Sequence, residues 1–242
     1  MRRVTAKFVP RLLTAEQKDD RVSICTDLRD RAQNDPNFMS SVITGDERWV
    51  YGYDPETKQM SSRWSTSSSP RPKKARQVKS NVKARLSAFF DIDGLVHHEF
   101  VPRGQTVNKD FYKTVLQRLR DAVCSHRPEK WRSGIWFLQH DNVPAHRAVI
   151  TNEFLAKYNI PSLPHPPYSP DLAPGDLLFP RLKKTTKSGL FDYVEEIQAN
   201  ATRQLRAITK SDYQRCFRQW QDILYIYIYI YIYIYSLSMY VG

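Results

Sequence analysis

Two apolar runs, residues 82–90 and 95–101, are separated only by a short break that ends in Asp93-Gly94. No other stretch limits the fold as much, because Asp-Gly accepts the positive φ of a tight turn and so commits both runs to one antiparallel hairpin. Residues 43–53 (ITGDERWVYGY), closed by Asp54-Pro55, read as a strand of the same sheet, with Asp46 and Glu47 on opposite faces, so that only one of the two faces a site. The sheet therefore starts as a three-stranded antiparallel meander. Thr14 followed three places later by Gln17 is a capping-box pattern that opens a charged helix over 14–34, an arm leading into the core, and Asp35-Pro36 ends it. Phe111, Val115, Leu119 and Val123 give residues 108–126 helical spacing, and 135–138 read as a buried strand. Pro144 opens a helix over 146–158, residues 160–163 form another short strand, and five prolines between 164 and 174 stiffen a loop. Helices over 193–208 and 211–223 close the fold. The class expected is α/β, a mixed sheet of three antiparallel strands then two further strands, flanked by helices.

A chain of 242 residues buries one sizeable core. Its 37 Lys and Arg against 25 Asp and Glu leave a formal charge of +12, which favours a polyanionic partner. The charge is also clustered: residues 57–90 hold nine basic side chains and no acidic one. Within them Arg71, Lys73, Lys74, Arg76 and Lys79 lie in a Ser-, Pro- and Lys-rich loop and are candidate contacts to nucleic-acid phosphate; a nuclear localisation signal reads the same letters. Cys25, Cys124 and Cys216 lack the paired spacing of a zinc site or disulfide framework, which fits a reducing compartment. Neither a signal peptide nor an 18-residue apolar span is visible, so no membrane is expected; no small-molecule substrate is expected either.

The chemistry is carried by acidic residues. Asp141, in His-Asp-Asn-Val-Pro-Ala-His (140–146), and Asp176, at the end of Tyr-Ser-Pro-Asp-Leu-Ala-Pro-Gly-Asp (168–176), have 34 residues between them, and Asp46 completes a trio. Hard carboxylate oxygens suit Mg²⁺, and two such ions serve phosphodiester chemistry, so acids in a basic chain point to DNA or RNA cutting. Asp171 competes for the third place, but its position between prolines suits a side chain that bonds loop amides. His140 and His146 read as orienting or packing groups, Asp93 as a turn residue, and Asp91 is left outside the site. Trp49, Trp64, Trp131 and Trp136 read as core or interface anchors.

Together Thr-Gly-Asp-Glu at 44–47, the 140–146 segment, the Tyr-Ser-Pro-Asp-Leu block and the 34-residue spacing resemble the catalytic half of the mariner-type DNA transposases, over residues 1 to about 221. The resemblance implies a ribonuclease H-like core. It also implies that Asp46, Asp141 and Asp176 hold two Mg²⁺ ions, with Mn²⁺ able to substitute, for cleavage and transfer of DNA strands at transposon ends in the nucleus. It divides the chain into a linker and helical arm at 1–40, a catalytic domain at 41–222 with a basic loop at about 57–80, and a Tyr/Ile tail at 223–242. DNA, met mainly through phosphate, and a second copy of the chain are the implied partners. The bipartite helix-turn-helix region that precedes the core in this family is not seen here, so sequence-independent DNA binding is expected.

Of three departures from the pattern, the first bears on dimer contacts and the other two on activity. Residues 8–13 (FVPRLL) are a divergent form of the family's interdomain motif. The run from Asp176 to Pro180 is one residue short, which turns a helix by about 100°; either the helix start absorbs the slip or Asp176 is mis-aimed, and Gly175 is expected to loosen the loop further. Residues 225–235 alternate Tyr and Ile, as an alternating TA nucleotide repeat would encode, and favour a two-faced strand. The last two departures and the missing recognition region favour an alternative, a remnant without catalysis that binds DNA or dimerises. A third reading is hydrolysis of RNA in hybrids.

Overall fold

The structure is a computed structural model that describes residues 12–55, 66, 69–70, 73, 78–186 and 191–239. Helix α1 (Ala15–Asn34) starts at the expected capping box: Thr14 Oγ1 accepts from the Gln17 amide at 3.3 Å, and Gln17 Oε1 accepts from the Thr14 amide at 3.2 Å. A single turn, α2 (Phe38–Ser41), leads into β1 (Val42–Tyr51). Strands β2 (Lys83–Asp91) and β3 (Gly94–Val101) form the hairpin, with Gly94 at φ +137° and the carboxylate of Asp91 accepting from the amides of Asp93 and Gly94. Then come α3 (Lys109–His126), capped by the Asn108 side chain, α4 (Pro128–Ser133) and β4 (Phe137–Gln139). Helix α5 (Val149–Lys157), a 3₁₀ turn (Pro170–Leu172), α6 (Pro174–Thr186), α7 (Val194–Ala207) and α8 (Lys210–Met239) complete the chain.

The sheet order is β3-β2-β1-β4, with β1 antiparallel to β2 and parallel to β4. The two-residue pleat sorts the side chains of β1 between two cores. Ile43 joins Phe89 and the inner faces of α3 and α5, including Tyr112, Leu116 and Phe154. Val42 joins Phe90, Cys25 and Leu28 of α1, and Phe217, Trp220 and Leu224 of α8. The arm expected at 14–34 is thus packed into the second core. Gly45 is required by the first: a Cβ there would lie 2.1 Å from Phe89 Cδ1. Gly45→Ala is expected to cost about 1–3 kcal/mol through overpacking, read as a lower urea midpoint at unchanged slope.

Three expectations are corrected. Residues 160–163 pair with the sheet only through a bridge between Leu138 and Ser162, because Pro161 and Pro164 have no N–H to extend a ladder. The helix expected over 146–158 begins at Val149, after the turn at 144–146 and the bend at 147–148. The Tyr-Ile repeat is helical, continuing α8. A helix already nucleated at Lys210 gains one hydrogen bond per added residue, and Tyr and Ile each cost no more than about 0.7 kcal/mol against Ala. No Gly or Pro interrupts the repeat. No described helix is long and apolar enough to cross a membrane.

Candidate functional site

Asp46 lies midway along β1, opposite Ala88 of β2, and Asp141 lies two residues past the end of β4, the strand parallel to β1. Asp176 sits in the first turn of α6, which begins at Pro174 and continues through Pro180. The sheet sets the first two carboxylates; the third depends on how the proline-rich loop is held.

That loop is held from two sides. Arg21 of α1 makes a bidentate pair with Asp171, at 2.6 and 3.2 Å, and donates to Ser169 Oγ at 2.8 Å. From α8, Trp220 Nε1 donates to the Leu172 carbonyl at 2.8 Å and Cys216 Sγ to the Pro174 carbonyl at 3.0 Å. Asp171 therefore serves an arginine from a distant helix. Gly175 is buried, and a Cβ there would stand 3.3 Å from the Phe179 ring and 3.4 Å from Asp46 Cβ. Instead of loosening the loop, it allows α6 to close against β1.

Arg48 joins two members of the trio. It follows Asp46 by two residues and so shares its face of β1; its Nη2 bonds Asp176 Oδ1, and its Nε lies 3.4 Å from Asp46 Oδ2. The guanidinium also lies 5.5 Å over the Phe179 ring. Burial pushes the Asp46 carboxyl up to about 7; the Arg48 cation opposes this, while the charges of Glu47 and Asp141 add to it.

Asp141 is reached through His146. This imidazole is 1% exposed, with Nδ1 2.7 Å from Asp141 Oδ1 and Nε2 3.4 Å from Glu47 Oε2. Neither nitrogen meets hydrogen-bond geometry, so the contacts are ionic and off the N–H axes. Burial pulls the His146 pKa down, but the two carboxylates outweigh it and hold it at about 9; Asp141 is held below the usual carboxylate range, His146 outweighing the effect of burial. His140 differs: burial, with charged His146 nearby, depresses it to about 3, and its nitrogens meet Tyr112 Oη at 2.8 Å and Ser162 Oγ at 3.0 Å. The rings of Tyr112, His146 and His140 form one stack. His140 is a packing group, and His146 is an orienting one.

The sequence reading missed Arg48 and the contact from Glu47 to Asp141 by way of His146. The first had a signal in the two-residue offset on a strand; the second depends on Glu47 meeting His146, 99 residues away, and had none. Among the described residues, no group of three or more His, Cys, Asp or Glu converges closely enough to hold a metal by itself. Of the expected phosphate contacts, Lys73 is exposed, and Lys79 lies 3.5 Å from Asp54 and 4.7 Å over the Tyr51 ring. Arg71, Lys74 and Arg76 lie outside the described residues. Asp91 is buried in ion pairs with Arg127 and Lys130, remote in role from the trio.

Residues 54–133 match the family described as Transposase (partial DDE domain). The chain is 32% identical over 195 residues to the Mariner Mos1 transposase of Drosophila mauritiana, covering 79% of this chain and 55% of that protein; it spans about half the length of that relative. Among solved structures, the Mos1 mariner paired end complex with Mn superposes with a TM-score of 0.83 at 27% identity, covering 94% of this chain and 66% of the other. The catalytic domain of Mos1 mariner transposase gives 0.74 at 25% identity, covering 91% and 96%. The mixed sheet flanked by helices is ribonuclease H-like, as the sequence led us to expect.

Proposed function

We propose, for a chain that is homologous to the mariner-type transposases and carries the fold of their catalytic domain, that it cleaves and transfers DNA strands at transposon ends with divalent metal. The observation that carries this reading is the gathering of Asp46 and Asp176 about one cation, with Asp141 near enough to raise the Asp46 pKa. The donor set fits Mg²⁺ or Mn²⁺ in kind: all three groups are hard carboxylates. When bound, such ions would stabilise the attacking and leaving oxygens of an in-line displacement. The chain's own part is positional. Strand β1 fixes Asp46, charged His146 orients Asp141, and the clamp from Arg21, Cys216 and Trp220 sets the loop before Asp176.

DNA is the proposed substrate, met through phosphate by the basic residues of the 57–80 loop, with a second copy of the chain as partner and the nucleus as the place of action. The charge of +12 supports this, and binding is expected to weaken steeply with salt. A second reading, a DNA-binding remnant without catalysis, is favoured by one observation: no described group of three metal-capable side chains converges. Incubation of supercoiled plasmid with Mn²⁺ separates the two. Open-circular product that disappears on chelation supports cleavage; salt-dependent binding with no nicking supports the remnant.

A further inference from the structure

Arg48 is the one cation in contact with both Asp46 and Asp176 among the ion pairs of the described residues, and it is poorly satisfied where it sits. Its Nε is buried without a hydrogen-bond partner, and its approach to Asp46 is a loose 3.4 Å. A permanent structural arginine in a carboxylate cage normally spends all its donors, since a buried unpaired donor costs about 1–3 kcal/mol. The side chain is also one-third exposed, so a route outward to solvent is open. We propose that Arg48 is a built-in stand-in cation: it holds Asp46 and Asp176 together in the metal-free protein and is displaced when a divalent ion binds those carboxylates. The inference rests on the metal-dependent reading above and adds a residue that sets the metal concentration the site requires.

Two consequences have opposite signs. Without metal, removing the guanidinium takes away the cation that bridges two neighbouring carboxylates and lowers stability. With metal, it removes a competitor and a repelling charge. A unit charge ~6 Å from a dication, at a water-like dielectric, corresponds to about tenfold in affinity.

The test is titration of the full chain with Mn²⁺ alone, followed by heat of binding and by the thermal midpoint, in wild type, Arg48→Gln, Arg48→Lys and Asp141→Asn. Expected is a lower midpoint for Arg48→Gln without metal, with half-saturation at about one-tenth of the wild-type Mn²⁺ concentration, and Arg48→Lys close to wild type. Unchanged or weaker binding in Arg48→Gln overturns the stand-in role while leaving the metal site standing, provided that Asp141→Asn weakens binding. Binding insensitive to Asp141→Asn overturns the metal site and the stand-in together. If Arg48→Gln does not fold, Arg48→Lys decides by itself: it keeps the charge on a shorter reach, and half-saturation shifted tenfold upward rejects the proposal.

Discussion

Asp141→Asn is expected to abolish metal-dependent nicking, by at least about a hundredfold, with little change in folding. The amide keeps the carboxylate's size but carries no charge, so a hard cation loses a ligand while the loop keeps its shape. His146 keeps Glu47 as a partner, and the Tyr112–His146–His140 stack stays buried. The hundredfold figure is a floor, since a misplacement of about 1 Å at a catalytic centre already costs that much. Initial rates of open-circle formation at saturating Mn²⁺, with the thermal midpoint as control, measure it. Persistent nicking in the variant would remove Asp141 from the catalytic assignment.

The largest effect on stability is expected at Asp91. Its carboxylate is 0% exposed, receives Arg127 Nε at 2.7 Å and Nη2 at 2.9 Å, bonds Lys130 and closes the hairpin through two amides. Asp91→Ala strands two partly buried cations and two turn amides, a loss of about 3–5 kcal/mol for breaking such a pair. Denaturant unfolding monitored by tryptophan fluorescence measures it, and a loss below 1 kcal/mol would show that water or Asp93 takes over. The wild type carries a pH signature of the same contact. Burial raises the Asp91 pKa, but the Arg127 and Lys130 contacts outweigh it, so the folded pKa lies below the ordinary value. A depressed folded pKa means that the contribution is complete above the unfolded pKa of about 3.9 and is lost as pH falls through the folded value. Acid unfolding below pH ~4 should therefore be partly relieved of its pH dependence in Asp91→Ala.

The legible parts of the fold were those set by local chemistry. The Asp93-Gly94 turn, the Thr14 and Gln17 cap and the helical spacing from Phe111 to Val123 each act within a few residues, and each is found in place. The Tyr-Ile repeat was misread because alternation was weighed as an isolated segment, whereas the preceding helix supplied the nucleus. The site divides in the same way. Motif spacing marked Asp46, Asp141 and Asp176, but what holds them is long-range: Arg21 acts on Asp171, and Trp220 on Leu172. Such pairs leave no periodicity in a single chain. Arg48 was within reach, since a strand places residues 46 and 48 on one face.

The clamp on the proline-rich loop also ties the loop to the apolar face of α8. Cys216, Phe217, Trp220 and Leu224 all face the second core, and Leu224 directly precedes the Tyr-Ile repeat. The placement of the loop before Asp176 therefore depends on α8 as far as residue 224 through these anchors. A polar residue at position 224 is therefore expected to loosen the loop before Asp176 from a distance, through the helix that holds it.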